Sequence, residues 1–152
     1  MARLADVFYI GGTKVGAMFG EAVVISNPAI AEDFRYIIKQ RGAMLAKGWL
    51  LGVQFEALLE DDLYFKIAGH ANELADQIRD SLRAKGFLMI AESRTNQIFT
   101  VIPDADLLRL KENFTFSVQE RVDATHTMVR FCTSWASKKE NVQLLCKAIE
   151  EL

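Results

Sequence analysis

The chain has 152 residues, of which 51% are hydrophobic and 25% are charged, so it contains enough apolar material to form a core. Its 18 basic and 20 acidic residues give a net charge of −2, which excludes the strong positive field typical of proteins that bind nucleic acid or anionic membranes. Two cysteines are too few for a disulfide scaffold, and charges interrupt the most apolar segment, so it does not resemble a membrane span. We therefore expect a cytoplasmic protein that binds neither nucleic acid nor membrane.

Two short apolar runs near the N-terminus predict buried strands. Residues 6–10 end at a pair of glycines, and residues 21–26 form the second run. The segment between them is rich in glycine, which allows positive φ angles and a close approach of the backbone to another group. The sequence thus predicts strand, glycine-rich loop and strand.

A long helical region is expected to follow the second strand. Asn27 and Pro28 match the N-cap and the first position of a helix. The helical pattern continues to about Glu60, with a kink or division near Gly42 and Gly48. We expect its most apolar stretch, residues 43–59, to be a buried helix.

The rest of the chain predicts a second α+β part. Apolar residues between positions 61 and 85 recur in steps of three and four, which indicates one face of a helix, and Gly86 is placed to end it. Strands are predicted at 87–90, 97–102, 114–118 and 127–133, with a short helix through 103–111. Residues 137–140 match a capping box that opens a last helix. The predicted fold class is α+β with a mainly antiparallel sheet, divided into residues 1–60 and 61–152.

Lys14 is unusual because glycines and small residues surround it. A tight turn with a solvated lysine would explain the pattern. The segment fits neither a Walker A loop nor a dinucleotide-binding glycine motif, since Lys14 is followed by valine and Thr13 occupies the position of the second glycine. A lysine that forms a Schiff base with an aldehyde would also fit, since small neighbours admit a planar ring and confinement lowers the pKa of an amine.

The segment DVFYIGGTKVGAMFGEAVVI, residues 6–25, resembles the cofactor-lysine segment of the threonine aldolase and β-eliminating lyase family. These are pyridoxal-phosphate enzymes of fold type I. The resemblance continues through residues 38–52, 95–99 and 128–136, in the same order along the chain. It implies that the chain is the C-terminal half of such an enzyme, comprising the end of the large domain and the small α+β domain.

The resemblance implies roles for three residues. Lys14 matches the lysine that bonds to pyridoxal 5′-phosphate, and Thr13 matches a hydroxyl residue that touches the cofactor phosphate. Arg130 matches the arginine that binds the substrate α-carboxylate, although a half-buried salt bridge at a sheet edge would also explain it. The pyridine-pairing aspartate, the ring-stacking residue and the catalytic base would lie in the half that this chain does not contain.

Three other residues are weaker candidates. Arg41 and Lys47 could face a phosphate or a partner subunit, or could be solvated helix residues. His126 stands at the start of the strand that carries Arg130 and could face the same cleft. The two histidines lack acidic or cysteine partners at ligand spacing, so we expect no metal site.

The resemblance implies a lyase that cleaves β-hydroxy amino acids to glycine and an aldehyde. Two alternatives remain open: a β-eliminating lyase similar to tryptophanase or cysteine desulfhydrase, and a non-catalytic oligomerising fragment of the same scaffold. The expected partners are a small amino-acid substrate and further copies of the chain in a homodimer or homotetramer. The chain alone is expected to be incomplete and inactive.

Overall fold

The computed structural model describes residues 1–152, which form two compact units, 1–65 and 66–152. The sequence predicts that the two parts of the chain divide between residues 60 and 61. The secondary-structure elements in chain order are β1 Val7–Gly11, β2 Glu21–Ile25, α1 Pro28–Ala31, α2 Phe34–Gln40, α3 Trp49–Leu59, α4 Leu63–Ala84, β3 Leu88–Met89, β4 Gln97–Pro103, α5 Asp104–Lys111, β5 Ser117–Arg121, β6 His126–Cys132 and α6 Lys139–Glu150. The α+β prediction is confirmed, and both sheets are antiparallel.

The first unit begins with a β-hairpin. β1 and β2 pair in antiparallel register from Val7 opposite Ile25 to Gly11 opposite Glu21. The connecting loop contains a single 3-10 turn over Thr13–Val15. Both predicted strands and the loop between them are therefore confirmed, but the prediction that the strands are buried is wrong: neither strand has a buried residue in this chain, and Tyr9 is 70% exposed.

Three helices, α1, α2 and α3, make up the long helical region that the sequence predicts in the first unit. The Asn27 side chain accepts a hydrogen bond from the Ala29 N–H at 3.0 Å, so the predicted N-cap is confirmed. The backbone of Asp33 is left-handed, with φ of 55°, and a right-handed helix cannot continue through that conformation. The expected division near Gly42 and Gly48 is present, because residues 41–48 separate α2 from α3.

The apolar stretch 43–59 is largely exposed, so the prediction of a buried helix is wrong. Only Phe55 and Leu58 are buried there, whereas Trp49 is 67% exposed and Val53 is 46% exposed. Apolar side chains are distributed around α3, interrupted only by Gln54 and Glu56, while the hairpin loop of its own unit meets one side of the helix. The apolar composition of α3 is therefore typical of a buried helix, but the first unit does not bury it.

The second unit is a four-stranded antiparallel sheet with strand order β3-β4-β6-β5. One face of the sheet packs against α4, α5 and α6. The core is formed by Leu74, Ala75, Ile78, Leu82, Ile98, Ile102, Leu107, Leu110, Val129, Phe131, Val142, Leu145 and Ile149. The alternate residues of β4 and β6 point to the opposite face, which carries Arg130.

The helical periodicity of α4 is confirmed, and Gly86 follows it with φ of 85°. Two local predictions in this unit are wrong. The strand expected at 114–118 begins at Ser117, since the N–H of Phe114 still donates to the Leu110 carbonyl at 2.9 Å and continues the turn of α5. Ser137 does not cap α6; its hydroxyl accepts from the Ser134 N–H at 3.0 Å instead. No helix is both long and apolar enough to cross a bilayer.

Candidate functional site

Thr13 and Lys14 lie side by side in the turn that joins β1 to β2. The Gly12 carbonyl accepts hydrogen bonds from the N–H groups of Val15 at 3.1 Å and Ala17 at 2.9 Å. Val15 and Ala17 are buried, whereas Thr13 and Lys14 are exposed. The turn is therefore anchored by its apolar members and presents its hydroxyl and amine outward.

Two glycines allow this loop to lie directly against α3. A Cβ atom on Gly12 would stand 2.6 Å from the Ala17 Cβ and 3.1 Å from the Phe55 ring. One on Gly20, where φ is 90°, would clash with the Leu51 side chain. The glycine content predicts that the loop backbone lies close to another group, and that group is α3.

Two polar side chains hold the ends of the loop. The Gln54 side-chain oxygen accepts from the Met18 N–H at 2.7 Å, and its amide donates to the Leu50 carbonyl at 2.8 Å. The Tyr64 hydroxyl donates to the Gly11 carbonyl at 3.0 Å. Neither role was predicted from the sequence, where the only signal is that Gln54 is one of two polar residues in α3, together with Glu56.

The Lys14 amine lies in no ion pair within 4.0 Å. Its side chain is exposed, so the confined setting expected of a Schiff-base lysine is not seen in this chain. The reason is local, because the neighbours of Lys14 are glycines and short side chains that cannot enclose an amine. The Lys14 amine nitrogen therefore has no ion-pair partner in this chain.

Arg130 lies on β6, an inner strand of the second unit's sheet. Its Nη1 donates to the Gln97 side-chain oxygen at 3.1 Å, and its Nη2 donates to the Ser117 hydroxyl at 3.3 Å. Its Nε is buried and has no hydrogen-bond partner. No carboxylate lies within 4.0 Å of the guanidinium, so the alternative of a salt bridge at a sheet edge is wrong on both counts.

Other residues of β6 share the face of Arg130. His126 and Cys132 alternate in step with it, and Phe99 of β4 stands directly opposite it. Gln97, the first residue of a predicted strand, lies on β4 opposite Cys132. The strand register thus places the amide oxygen of Gln97 within reach of the guanidinium.

His126 pairs with Asp123 in the loop before β6. The imidazole Nδ1 lies 3.0 Å from the carboxylate, which also accepts the backbone N–H groups of Thr125 and His126 at 2.7 and 2.8 Å. These backbone and imidazole hydrogen bonds, that of Thr125 first, lower the pKa of Asp123 to about 2. The contacts of His126 therefore close the loop that precedes β6.

Arg41 and Lys47 flank the non-helical segment between α2 and α3. Both are exposed, and neither lies in an ion pair. The structure assigns them no contact that favours a cofactor role over a solvated one.

Proteins named low specificity L-threonine aldolase are similar to this chain. The protein of Pseudomonas aeruginosa is 30% identical over 149 residues, and that of a Pseudomonas species is 32% identical over 150 residues. Each match covers 95% of this chain and 41% of the relative, so the chain spans about two fifths of the length of the curated relatives it matches. No family model matches the chain.

Solved structures give the same result. Leishmania major threonine aldolase matches with a TM-score of 0.94 and 39% identity, covering 99% of this chain and 44% of that one. Sphingomonas wittichii serine palmitoyltransferase, at a TM-score of 0.65 and 14% identity, and Francisella tularensis 8-amino-7-oxononanoate synthase, at 0.60 and 18%, share the fold. The predicted resemblance to the C-terminal half of the fold-type-I threonine aldolase family is therefore confirmed.

Proposed function

We propose that the chain provides the cofactor-binding lysine and the substrate-binding arginine of a pyridoxal-phosphate-dependent lyase that cleaves β-hydroxy amino acids to glycine and an aldehyde. The observation that carries the proposal is the 39% identity to Leishmania major threonine aldolase over 99% of this chain. The match covers 44% of that protein, and on this proposal the catalytic base and the rest of the cofactor pocket would come from the part of the enzyme that the match does not cover.

The lysine turn fits pyridoxal 5′-phosphate chemically. Lys14 offers an amine with no competing carboxylate, and the neighbouring glycines leave room for a planar ring. Thr13 offers a hydroxyl that would hold the phosphate. The cofactor, when bound, supplies an aldehyde that bonds to an amine and a ring that withdraws electrons from the bond that breaks.

Arg130 would orient the substrate. Its guanidinium has terminal N–H groups to offer and no protein anion to neutralise its charge. A carboxylate bound by two parallel hydrogen bonds is fixed in direction as well as in position. That fixed direction determines which bond of the substrate Cα is presented for cleavage.

We further propose a cytoplasmic homodimer or homotetramer. Support for the assembly comes from the exposed apolar side chains of α2 and α3 in the first unit, among them Tyr36 and Trp49. Support for a reducing compartment comes from Cys132 and Cys146, which are both free thiols.

A chimaera tests the activity. The part of Leishmania major threonine aldolase that this chain does not match would be joined to residue 1, and aldehyde release from L-threonine would be measured with added cofactor. We expect cleavage, complete loss in Lys14→Ala, and in Arg130→Lys a rise in KM of about tenfold or more, since lysine cannot make the bidentate contact. A folded chimaera that binds the cofactor without cleaving threonine would contradict the proposal, and pyruvate release from L-serine would favour the β-eliminating alternative.

The chain alone gives a second test. We expect weak or no binding of pyridoxal 5′-phosphate, measured as a lysine-dependent absorbance change on adding the cofactor, with Lys14→Ala as the control. A strong band that requires Lys14, together with threonine cleavage, would show that the chain is a complete enzyme.

A further inference from the structure

The five N–H groups of the Arg130 guanidinium differ in their partners: some donate to protein acceptors, one is buried without an acceptor, and the others remain available. A guanidinium carries one N–H on Nε and two on each terminal nitrogen. Gln97 takes one from Nη1, Ser117 takes one from Nη2, and the Nε–H is buried without an acceptor. Two N–H groups remain, one on each terminal nitrogen, and both can be donated to an anionic ligand.

The two acceptors are both electrically neutral. A glutamate at position 97 or an aspartate at position 117 would form an ion pair with Arg130 and compete with any anionic ligand for it. The amide of Gln97 and the hydroxyl of Ser117 instead fix the plane of the guanidinium through dipoles and leave its full positive charge available. Because β4 and β5 flank β6 on opposite sides, the two acceptors hold the guanidinium from both neighbouring strands.

We propose that Gln97 and Ser117 are positioning residues that aim the two terminal nitrogens of Arg130 for end-on binding of a ligand carboxylate and keep the charge of Arg130 uncompensated. The identity of the ligand as an amino acid rests on the proposed function. The positioning itself rests on the hydrogen bonds and on the lack of a nearby protein carboxylate.

The test uses the intact chain and the side-chain Nε–H signal of Arg130 in a nitrogen–proton correlation NMR spectrum. The signal is assigned by its loss in Arg130→Lys. The probes are glycine and glycinamide, which differ in the carboxylate. We expect glycine to shift the signal saturably in the wild-type chain and glycinamide to leave it unchanged.

Gln97→Glu is the decisive variant, since it keeps the shape and the hydrogen-bond acceptor while adding a negative charge. We expect it to bind glycine at least tenfold more weakly and to melt at a higher temperature, because Arg130 gains an ion-pair partner. A merely structural role for Gln97 would not lower glycine binding while raising the melting temperature. Gln143→Glu, on the exposed side of α6, adds the same charge away from Arg130 and should behave as the wild type.

Ser117→Asp on the edge strand β5 is the second variant and serves if Gln97→Glu does not fold. Glycine binding at wild-type strength in the folded acidic variants would overturn the positioning proposal and leave the proposed function standing. A wild-type chain whose Arg130 signal does not respond to glycine would overturn the positioning proposal, whereas the proposed function is overturned only by the chimaera.

Discussion

Arg130 and Arg79 are two arginines of the second unit with opposite surroundings. Arg79 is 3% exposed, is paired with Asp76 and donates to the Thr95 carbonyl at 3.0 Å, so its charge and donors are satisfied. Arg130 has neutral partners and one buried N–H without an acceptor, which costs about 1–3 kcal/mol of stability. Such a locally unfavourable arrangement is typical of a residue kept for binding.

Replacement of each arginine by methionine should therefore have different effects. Arg130→Met removes the unsatisfied N–H together with two neutral hydrogen bonds, so we expect a change in the free energy of unfolding of at most about 1 kcal/mol. Arg79→Met removes the charge-assisted hydrogen bonds to Asp76, whose carboxylate is 57% exposed, and to the Thr95 carbonyl, and should cost about 1–3 kcal/mol. Denaturant titration measures both, and an equally large loss in Arg130→Met would contradict the assignment of Arg130 to ligand binding.

Asp123 should make stability depend on pH in the acid range. Its folded pKa of about 2 lies below the ordinary value of 3.8 for an aspartate, so protonation favours the unfolded chain and the stabilisation is lost as the pH falls from about 4 through about 2. Asp123→Asn should melt below the wild type at pH 6, and the difference should shrink below pH 3. Glu73→Gln, at an exposed site of α4 without an ion pair, is the control. A difference that stays constant from pH 6 to pH 2 would contradict the contribution of Asp123.

At the scale of elements, the contact between the lysine loop and α3 can be tested at Gly20, one of the two glycines that allow it. Gly20→Ala places a methyl group against Leu51 at a φ of 90°, so we expect a loss of roughly 1–3 kcal/mol. Gly52, inside α3, has open space around its Cβ position, so Gly52→Ala should gain about 0.5–1 kcal/mol from helix propensity. Thermal unfolding followed by circular dichroism compares the two variants, and equal effects would show that the loop does not pack as described.

Gly20→Ala combined with Leu51→Ala separates the clash from the backbone strain. The double variant should recover the part of the loss that comes from the Leu51 side chain and retain the part that comes from the positive φ. Purely additive losses would mean that the two residues do not touch.

The elements that sequence predicts correctly are those whose periodicity arises from a core within the same unit. α4 buries Ala71, Leu74 and Ile78 at helical spacing, and β6 alternates buried and less buried residues along its whole length. α3 shows no such periodicity because apolar side chains are distributed around it, and its exposure in this chain could not be inferred from composition. The break at Asp33 was missed since aspartate tolerates both helical and left-handed backbone.

The candidate site was predictable to the extent that a residue's identity alone suggests its chemistry. Lys14 among glycines and Arg130 on an alternating strand have distinctive local settings. Gln97 and Ser117 do not, because their roles arise from strand register, which places residues 33 and 13 positions away beside one guanidinium. Gln54 and Tyr64 act on the lysine loop across 36 and 53 positions for the same reason.

At the scale of the whole molecule, the apolar surface of α3 predicts self-association. Trp49 and Val53 are one helical turn apart and therefore lie on one side of α3, where 67% and 46% of their surfaces are exposed. Burying such side chains contributes about 1.5–3 kcal/mol each, which is enough to favour a dimer once several take part. Sedimentation velocity on the wild-type chain should therefore give a mass of at least twice 17.1 kDa.

Two substitutions locate the association surface. Trp49→Lys with Val53→Lys introduces two charges into it, so we expect the sedimenting mass to fall toward that of one chain while the helical circular dichroism signal is kept. Leu144→Lys changes an apolar residue of α6 that is 60% exposed in the second unit, and it should leave the mass unchanged. A wild-type chain that sediments as a monomer at tens of micromolar would exclude the proposed assembly. If only Leu144→Lys lost association, the interface would lie in the second unit, on its sheet or on α6, and not on α3.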